Sequence, residues 1–517
     1  MVAALSLATD LSLALPVEHG LHSTLVALRL GERLSIDPRT ATQTYYVCLL
    51  FHVGCTATAR VAAELFGEDD ALTTYATASR FGSQPQIMAG MARAVAPPGG
   101  GPLLRAAQLA RGMPKLVREY KGVVATLCEV GRMLAASLGL PGAVPALFAS
   151  IGERWDGKGE PGLVAGGDIP PPVRIAHVAR DAAFQQLLAG PEEAARVIGQ
   201  RAGAAFDPAV ASKLADDAAE ILAVDDAGSV WQEILDREPA PRVTLEGEAV
   251  DRALEAVADF ADLVSPYLAG HSTGVARLAA AAARACGAEA GEVTTLRHAA
   301  LVHDLGRVAV PTRIWHKQSP LSADDWERVR LHAYHGERVL SRSPFLAALT
   351  PVATFHHERL DGSGYHRGAA AGALPWPARL LAAADCYHAM TEPRPQRTAL
   401  SPERAAEVLT DEAGAGRLDP DAVVAVLEAA GQPAVRVERT AGLTEREAEV
   451  VGLLARGLQT KQVARALGIS RKTADHHVQN AYRKMDVSTR AAAALFAMQH
   501  GLVAWGELPM GVAGRRP

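Results

Sequence analysis

The chain repeats itself, and the repeat limits the fold more than any other feature. Asp156-Gly-Lys-Gly159 is followed 18 residues later by Arg174, and Asp361-Gly-Ser-Gly364 is followed 18 residues later by Arg379 (174 − 156 and 379 − 361). Pro172 and Pro377 fall in register without a gap. Both copies continue into an Ala-rich stretch and then reach Asp-Pro, at Asp207-Pro208 and Asp419-Pro420. Upstream, His22-Ser-Thr24 echoes His271-Ser-Thr273, and His52 pairs with His303. The first copy differs chiefly by a long insertion between His52 and Asp156.

Composition decides what kind of unit is duplicated. At 517 residues the chain is long enough for three or four domains. Aromatics are only 5 % while Ala and Leu dominate, which favours helix packed on helix. The stripe Leu21, Leu25, Leu28, Leu34 has helical spacing, and Asp37-Pro38 starts a new element. Breaks fall at the Gly/Pro-rich stretch 95–102, at Glu238-Pro-Ala-Pro241, and from Gly431-Gln-Pro433 to Gly442. The fold class expected is therefore all-α: helical domains over 1–237 and 248–430, a linker over 431–442, and a small helical bundle over 443–505. The first fifteen residues are apolar but carry Asp10 and no basic start, so they read as a helix and not as a signal peptide. With no run of eighteen apolar residues, no membrane partner is expected. Five cysteines, an odd number without a CxxC pair, read as reduced thiols in a cytoplasmic protein.

The chemistry concentrates in the second copy. Leu301-Val-His303-Asp304-Leu-Gly-Arg307 places a histidine and an aspartate side by side at the end of an apolar helical run. Adjacent helical residues point about 100° apart, so the pair reaches one site only if that site is large, such as two metal ions. His271, His332, His356, His357 and Asp385 supply further imidazole and carboxylate donors, a set without thiolate that suits Fe, Mn or Zn. The repeat acts as an internal control. The turn glycines and the Arg and Pro marks stand in both copies, but Val53 faces Asp304, Ile151 and Gly152 face His356 and His357, and Arg180 faces Asp385. Residues needed only for folding would be needed twice.

In order, His271, His303-Asp304-Leu-Gly-Arg307, His332-x-x-x-Gly336, His356-His357-Glu-Arg-Leu-Asp361-Gly-Ser-Gly364-Tyr365 and Asp385 resemble the HD-GYP branch of the HD phosphohydrolases over roughly 265–425. The resemblance implies an all-helical HD core, so the chain reads as two tandem HD-type domains, the first degenerate. It implies metal ligands at His271, His303, Asp304, His332, His356, His357 and Asp385, with Asp304 catalytic as the carboxylate bridging two divalent ions, Fe or Mn before Mg or Zn. It implies a phosphodiesterase acting on a nucleotide second messenger such as cyclic di-GMP. Four departures stand out: Gly364-Tyr365-His366 where the family has Gly-Tyr-Pro, Arg307 where it has Lys, Arg394-Pro395-Gln396-Arg397 where it has an Arg-Pro-Tyr-Arg-like stretch, and Tyr267 where some members carry a third-metal glutamate. Arg307 is then the catalytic cation and Arg394 and Arg397 hold a second phosphate. Asp361 borders the substrate, or only closes its turn, as Asp156 does in the copy without ligands.

The end of the chain has a different charge. From Thr440 onward eleven Lys/Arg stand against six Asp/Glu, +5 in a chain of net −5, which leaves −10 for the rest. A basic end on an acidic body points to nucleic acid. Thr444 and Glu447 form a capping box, Gly457 ends that helix, Thr460 starts a second, Gly468-Ile-Ser470 turns, and a third helix runs from Arg471 to Met485. Leu-Thr-Glu-Arg-Glu447, Ala-Arg-Gly457-Leu, Val-Ala-Arg-Ala-Leu-Gly-Ile-Ser470, His477-Val478, Tyr482-Arg-Lys-Met485 and Ser488-Thr-Arg490 resemble the LuxR-type helix-turn-helix domain over about 443–503. That implies DNA as partner and dimers on paired half-sites, hence a homodimer. Thr473, Asp475, His476 and Gln479 would lie on the DNA-facing helix, and Arg471, Lys472, Lys484 and Arg490 would meet phosphates. The resulting function is a metal-dependent phosphodiesterase coupled to transcription. The alternatives are a non-catalytic metal- or nucleotide-sensing regulator and a helical scaffold.

Overall fold

A computed structural model describes residues 1–58, 61, 77, 79–96, 101–223, 229–433, 440–499 and 502. Residues 97–100 of the Gly/Pro-rich stretch, 434–439 of the expected linker, and 500–501 and 503–505 of the expected last domain lie outside them. Among the described residues every named element is helical, as the composition predicts. No helix among them is long and apolar enough to cross a membrane. Local chemistry sets many helix starts. Asp37, Asp207 and Asp419 each precede a proline and accept two backbone N–H groups of the first turn.

The described chain forms two compact units, Met1–Ala269 with Leu305–Ser343, and Gly270–Asp304 with Pro344–Pro517. In the first, helix His19–Arg33 packs against Pro38–Leu49 and Pro171–Ala189. Leu21, Leu25 and Leu28 of its stripe are buried there, and Leu34 caps its end. The apolar start of the chain is the buried helix Val2–Ser12. The 3-10 turn Leu305–Ala309 packs in this unit against Val2–Ser12, Glu248–Asp262 and His332–Leu340.

In the second unit, helix His271–Ala285 packs on Ala290–Val302, Trp376–Met390 and Pro420–Ala429. Further along, helices Glu445–Ala455, Thr460–Ala466, Arg471–Lys484 and Arg490–Gln499 build a small bundle around two apolar clusters, one holding Val451, Ala481 and Met485, the other Val450, Leu454, Val463 and Val478. Thr444 and Glu447 form the expected capping box, and Gly457 and Gly468 take the left-handed φ of +94° and +64° that ends each short helix.

The repeat marks make the same bonds in both copies. Arg174 donates to Asp207 at 2.6 Å, and Arg379 to Asp419 at 3.2 Å. Asp156 Oδ1 accepts the Lys158 N–H at 3.1 Å, and Asp361 Oδ1 accepts that of Ser363 at 2.9 Å. The buried Glu153 accepts from Gly162 and Leu163, and the buried Glu358 from Arg367 and Ala369. A Cβ on Gly159 would overlap the backbone of Glu153 and Arg154, and one on Gly364 would overlap that of Glu358 and Arg359. One upstream match shifts by a helical turn. His19, not His22, opens its helix after a left-handed residue (Glu18, φ 76°), as His271 does after Gly270 (φ 79°). His22 instead bonds Gln186 at 3.1 Å.

Candidate metal centre

The helix that carries the His-Asp pair ends at Val302. His303 caps it, and the chain passes through Asp304 into the 3-10 turn Leu305–Ala309. His303 keeps helical dihedrals (φ −58°, ψ −34°), and the ends of the two side chains nevertheless meet, His303 Nε2 lying 2.9 Å from Asp304 Oδ2. His271 Nε2, from the first residue of its helix, lies 3.5 Å from Asp304 Oδ2 and 3.1 Å from Asp385 Oδ1. His356 Nε2 approaches Asp304 from the other side, 3.4 Å from Oδ1, and His357 Nδ1 lies 3.7 Å from Asp385 Oδ2. His271, His303, Asp304 and Asp385 form one group of donors within 4.8 Å of one another, all buried. Asp304, His356 and His357 belong to a second group, so Asp304 is common to both and turns one oxygen to each.

The ring orientations are fixed from behind. His303 Nδ1 bonds the Ala300 carbonyl at 2.7 Å and His356 Nδ1 the Ala353 carbonyl at 2.7 Å. In the other unit, His332 Nδ1 bonds the Val329 carbonyl at 2.6 Å. A carbonyl accepts only, so Nδ1 is the donor and a neutral ring keeps its lone pair on Nε2. At His303 and His356 that lone pair faces a carboxylate oxygen. Two acceptors at such distances need a cation between them. A divalent ion with bonds of about 2.1 Å at right angles holds neighbouring ligand atoms about 3 Å apart, close to the separations seen. The donor set fits a metal.

Without an ion the electrostatics place a proton there. Burial alone would lower the pKa of His303, but the charge and hydrogen bond of Asp304, with Asp385, raise it to about 10. Burial works against the charge on Asp385, yet hydrogen bonds from His271 and His303 hold it well below the usual carboxylate range. His356 falls to about 4, chiefly through burial.

The remaining residues divide. Arg307 is buried in the first unit, with its guanidinium 5.8 Å from the Trp315 ring. Arg394 bonds Glu392 at 3.0 Å. Arg397 donates to the carbonyls of Ala389, Met390, Glu392 and Thr398, closing the end of the Asp385 helix. The carboxylate of Asp361 accepts from both the N–H and the hydroxyl of Ser363. Two residues escaped sequence reasoning. His388 and Glu392 stand outside the ligand set expected from the sequence, yet with His271 they form a third donor group. Their spacing from Asp385, three and seven residues, is the signal the sequence offers, although the helix ends at Met390 and Glu392 lies just beyond it.

In the C-terminal bundle, Arg471, Lys472, Thr473, Asp475, His476 and Gln479 are exposed on helix Arg471–Lys484. Lys484, itself exposed, pairs with the buried Glu447 at 2.6 Å, and Arg490 donates to the carbonyls of Leu454 and Leu458.

Residues 255–422 match the family model described as HD domain, and residues 441–497 match the bacterial regulatory proteins of the luxR family. The 3'3'-cGAMP-specific phosphodiesterase 3 of Vibrio cholerae serotype O1 is 27 % identical over 440 residues, 83 % of this chain and 94 % of that protein. That span is far longer than the HD match and takes in much of the first copy. A cyclic di-GMP phosphodiesterase of Thermotoga maritima is 39 % identical over 20 % of this chain and 29 % of its own length. The crystal structure of V-cGAP3, a cyclic GMP-AMP specific phosphodiesterase of V. cholerae, shares the fold with a TM-score of 0.55 over 83 % of this chain and 96 % of that one, at 23 % identity. The chain thus carries an HD domain at residues 255–422 and a LuxR-family DNA-binding domain at residues 441–497.

Proposed function

We propose that the protein hydrolyses a cyclic dinucleotide at a two-metal centre and couples that site to DNA binding. One observation carries the reading: Asp304 turns Oδ2 to His271 and His303 and Oδ1 to His356, the arrangement of a carboxylate shared by two ions. The ligands are His271, His303, Asp304, His356, His357 and Asp385, with His332 assigned from its place in the motif and its Nδ1–carbonyl bond. Fe or Mn suits this set best, and Mg or Zn less. Two bound ions would supply water acidified well below bulk and positive charge at the phosphorus.

The protein's own groups orient that chemistry. The backbone carbonyls behind His303 and His356 fix which ring nitrogen faces inward. Asp385 and Asp304 supply the anionic charge that concentrates cations in a buried site. Arg394 is the substrate-side cation, and Arg307 is assigned to the phosphoryl oxygens as the family's lysine would be. Hydrolysis adds the oxygen of water to phosphorus, breaks the bond to the sugar oxygen and leaves a proton on that oxygen. The V. cholerae relatives named for 3'3'-cGAMP put that dinucleotide ahead of cyclic di-GMP, because similarity to one of them spans 83 % of this chain. At the other end, Arg471 and Lys472 meet DNA phosphates while Thr473, Asp475, His476 and Gln479 face base edges. The protein works in the cytoplasm as a homodimer, where paired bundles match paired half-sites.

A sensing role without turnover is the second reading, and the engagement of Arg397 by backbone carbonyls favours it. Incubation of the metal-loaded protein with 3'3'-cGAMP, cyclic di-GMP, a cyclic mononucleotide and a generic phosphodiester separates the two. Linear product from a cyclic dinucleotide supports the enzyme, and none from any of them, with metal bound, leaves the sensor.

A further inference from the structure

His271 differs from His303 and His356 in what stands behind it. His303 and His356 use the carbonyl three residues back, within or at the end of their own helical turn. His271 is the first residue of its helix, and its Nδ1 lies 2.8 Å from Glu392 Oε2, with His388 Nδ1 farther off at 3.4 Å. Nε2 of the same ring faces Asp304 and Asp385. Glu392 is anchored in turn. Its Oε2 also accepts from Arg394 at 3.0 Å, and its Oε1 lies 3.3 Å from His388 Nδ1. The space for the His388 ring is made by Gly274, one turn along from His271, where a Cβ would overlap the imidazole.

We propose that Glu392 is a positioning residue for the metal centre. It accepts the Nδ1 proton of His271, so that the neutral ring turns its Nε2 lone pair toward Asp304 and Asp385, while His388 and Arg394 hold the carboxylate in place. The inference rests on the metal-centre reading above. A carboxylate behind a ligating imidazole fixes the tautomer and raises the basicity of the donor nitrogen. It also links the ligand to Arg394, the cation assigned to substrate phosphate.

The test is Mn(II) titration of the chelator-stripped full-length chain, alongside Glu392→Ala and Glu392→Gln, with the melting temperature of each metal-free protein. Glu392→Ala is expected to bind Mn(II) about ten- to a hundred-fold more weakly. Glu392→Gln, whose amide oxygen still accepts from Nδ1, is expected to fall between the alanine variant and wild type. Wild-type affinity in Glu392→Ala would overturn the proposal, as would a lowered melting temperature with affinity unchanged. If Glu392→Ala does not fold, Glu392→Gln decides: several-fold weakening supports the role and full affinity contradicts it. Wild type that binds no Mn(II) removes the metal centre and this role together, whereas wild-type binding with an unaffected variant removes only the role of Glu392.

Discussion

Gly306 lies directly against the backbone of His332, so closely that a Cβ would overlap the His332 carbonyl oxygen and the amide nitrogen of Gly336. Two motif glycines, in His-Asp-x-Gly and His-x-x-x-Gly, thereby acquire one physical reason. They let the 3-10 turn after Asp304 lie against the helix that opens with His332. Gly306→Ala is expected to destabilise the protein by about 1–3 kcal/mol, as overpacking does, measured as a lower denaturant midpoint. An unchanged midpoint would show that the turn yields freely.

The first copy should show a pH dependence of its own. Asp10 is buried, accepts the Gly20 N–H with both oxygens, and burial pushes its carboxyl up to about 7. A folded pKa above the unfolded value means that its contribution is complete below about pH 4 and is lost as pH rises through about 7. Asp10→Asn keeps an acceptor oxygen without the titration. Denaturation at a series of pH values should show the variant gaining on wild type from pH 4 to 8, and a constant difference would contradict the assignment.

Much of this was legible in the sequence, for reasons that differ by residue. Arg379, Asp419, Asp361 and Gly364 could be recognised because the first copy repeats them, and their bonds recur there. Asp304, His356, His357 and Asp385 stand out because the first copy has Val53, Ile151, Gly152 and Arg180 in their places, and in the structure these side chains gather with His271 and His303. In the first copy, Arg180, opposite Asp385, is buried with its guanidinium 5.6 Å from the Phe51 ring, a cation where the second copy has a carboxylate. What stayed hidden depends on tertiary placement. Pattern does not show that Arg397 folds back onto four carbonyls, that Glu392 reaches across to His271, or that His19 opens the helix in place of His22.

On the C-terminal bundle Lys484 pairs with the buried Glu447, whereas Arg471 and Lys472 are exposed on the helix Arg471–Lys484. Arg471→Ala or Lys472→Ala should weaken DNA binding at all sequences and reduce the slope of log affinity against log salt by about 1 each. Lys484→Ala should instead lower the stability of the bundle by about 1 kcal/mol, because Lys484 is partly exposed and holds the buried Glu447. Equal effects of all three on the salt slope would return Lys484 to the DNA contacts.

If one buried centre, shared through Asp304, both holds metal and hydrolyses a cyclic dinucleotide, the two properties are lost together. The direct measurement is bound Mn(II) and linear-dinucleotide formation from 3'3'-cGAMP, taken on the same samples of wild type and Asp304→Asn. Wild type is expected to bind metal and form product, and Asp304→Asn to lose at least about a hundred-fold in product formation together with its metal. Metal-loaded wild type that forms no product, or an Asp304→Asn protein that turns over like wild type, would contradict it.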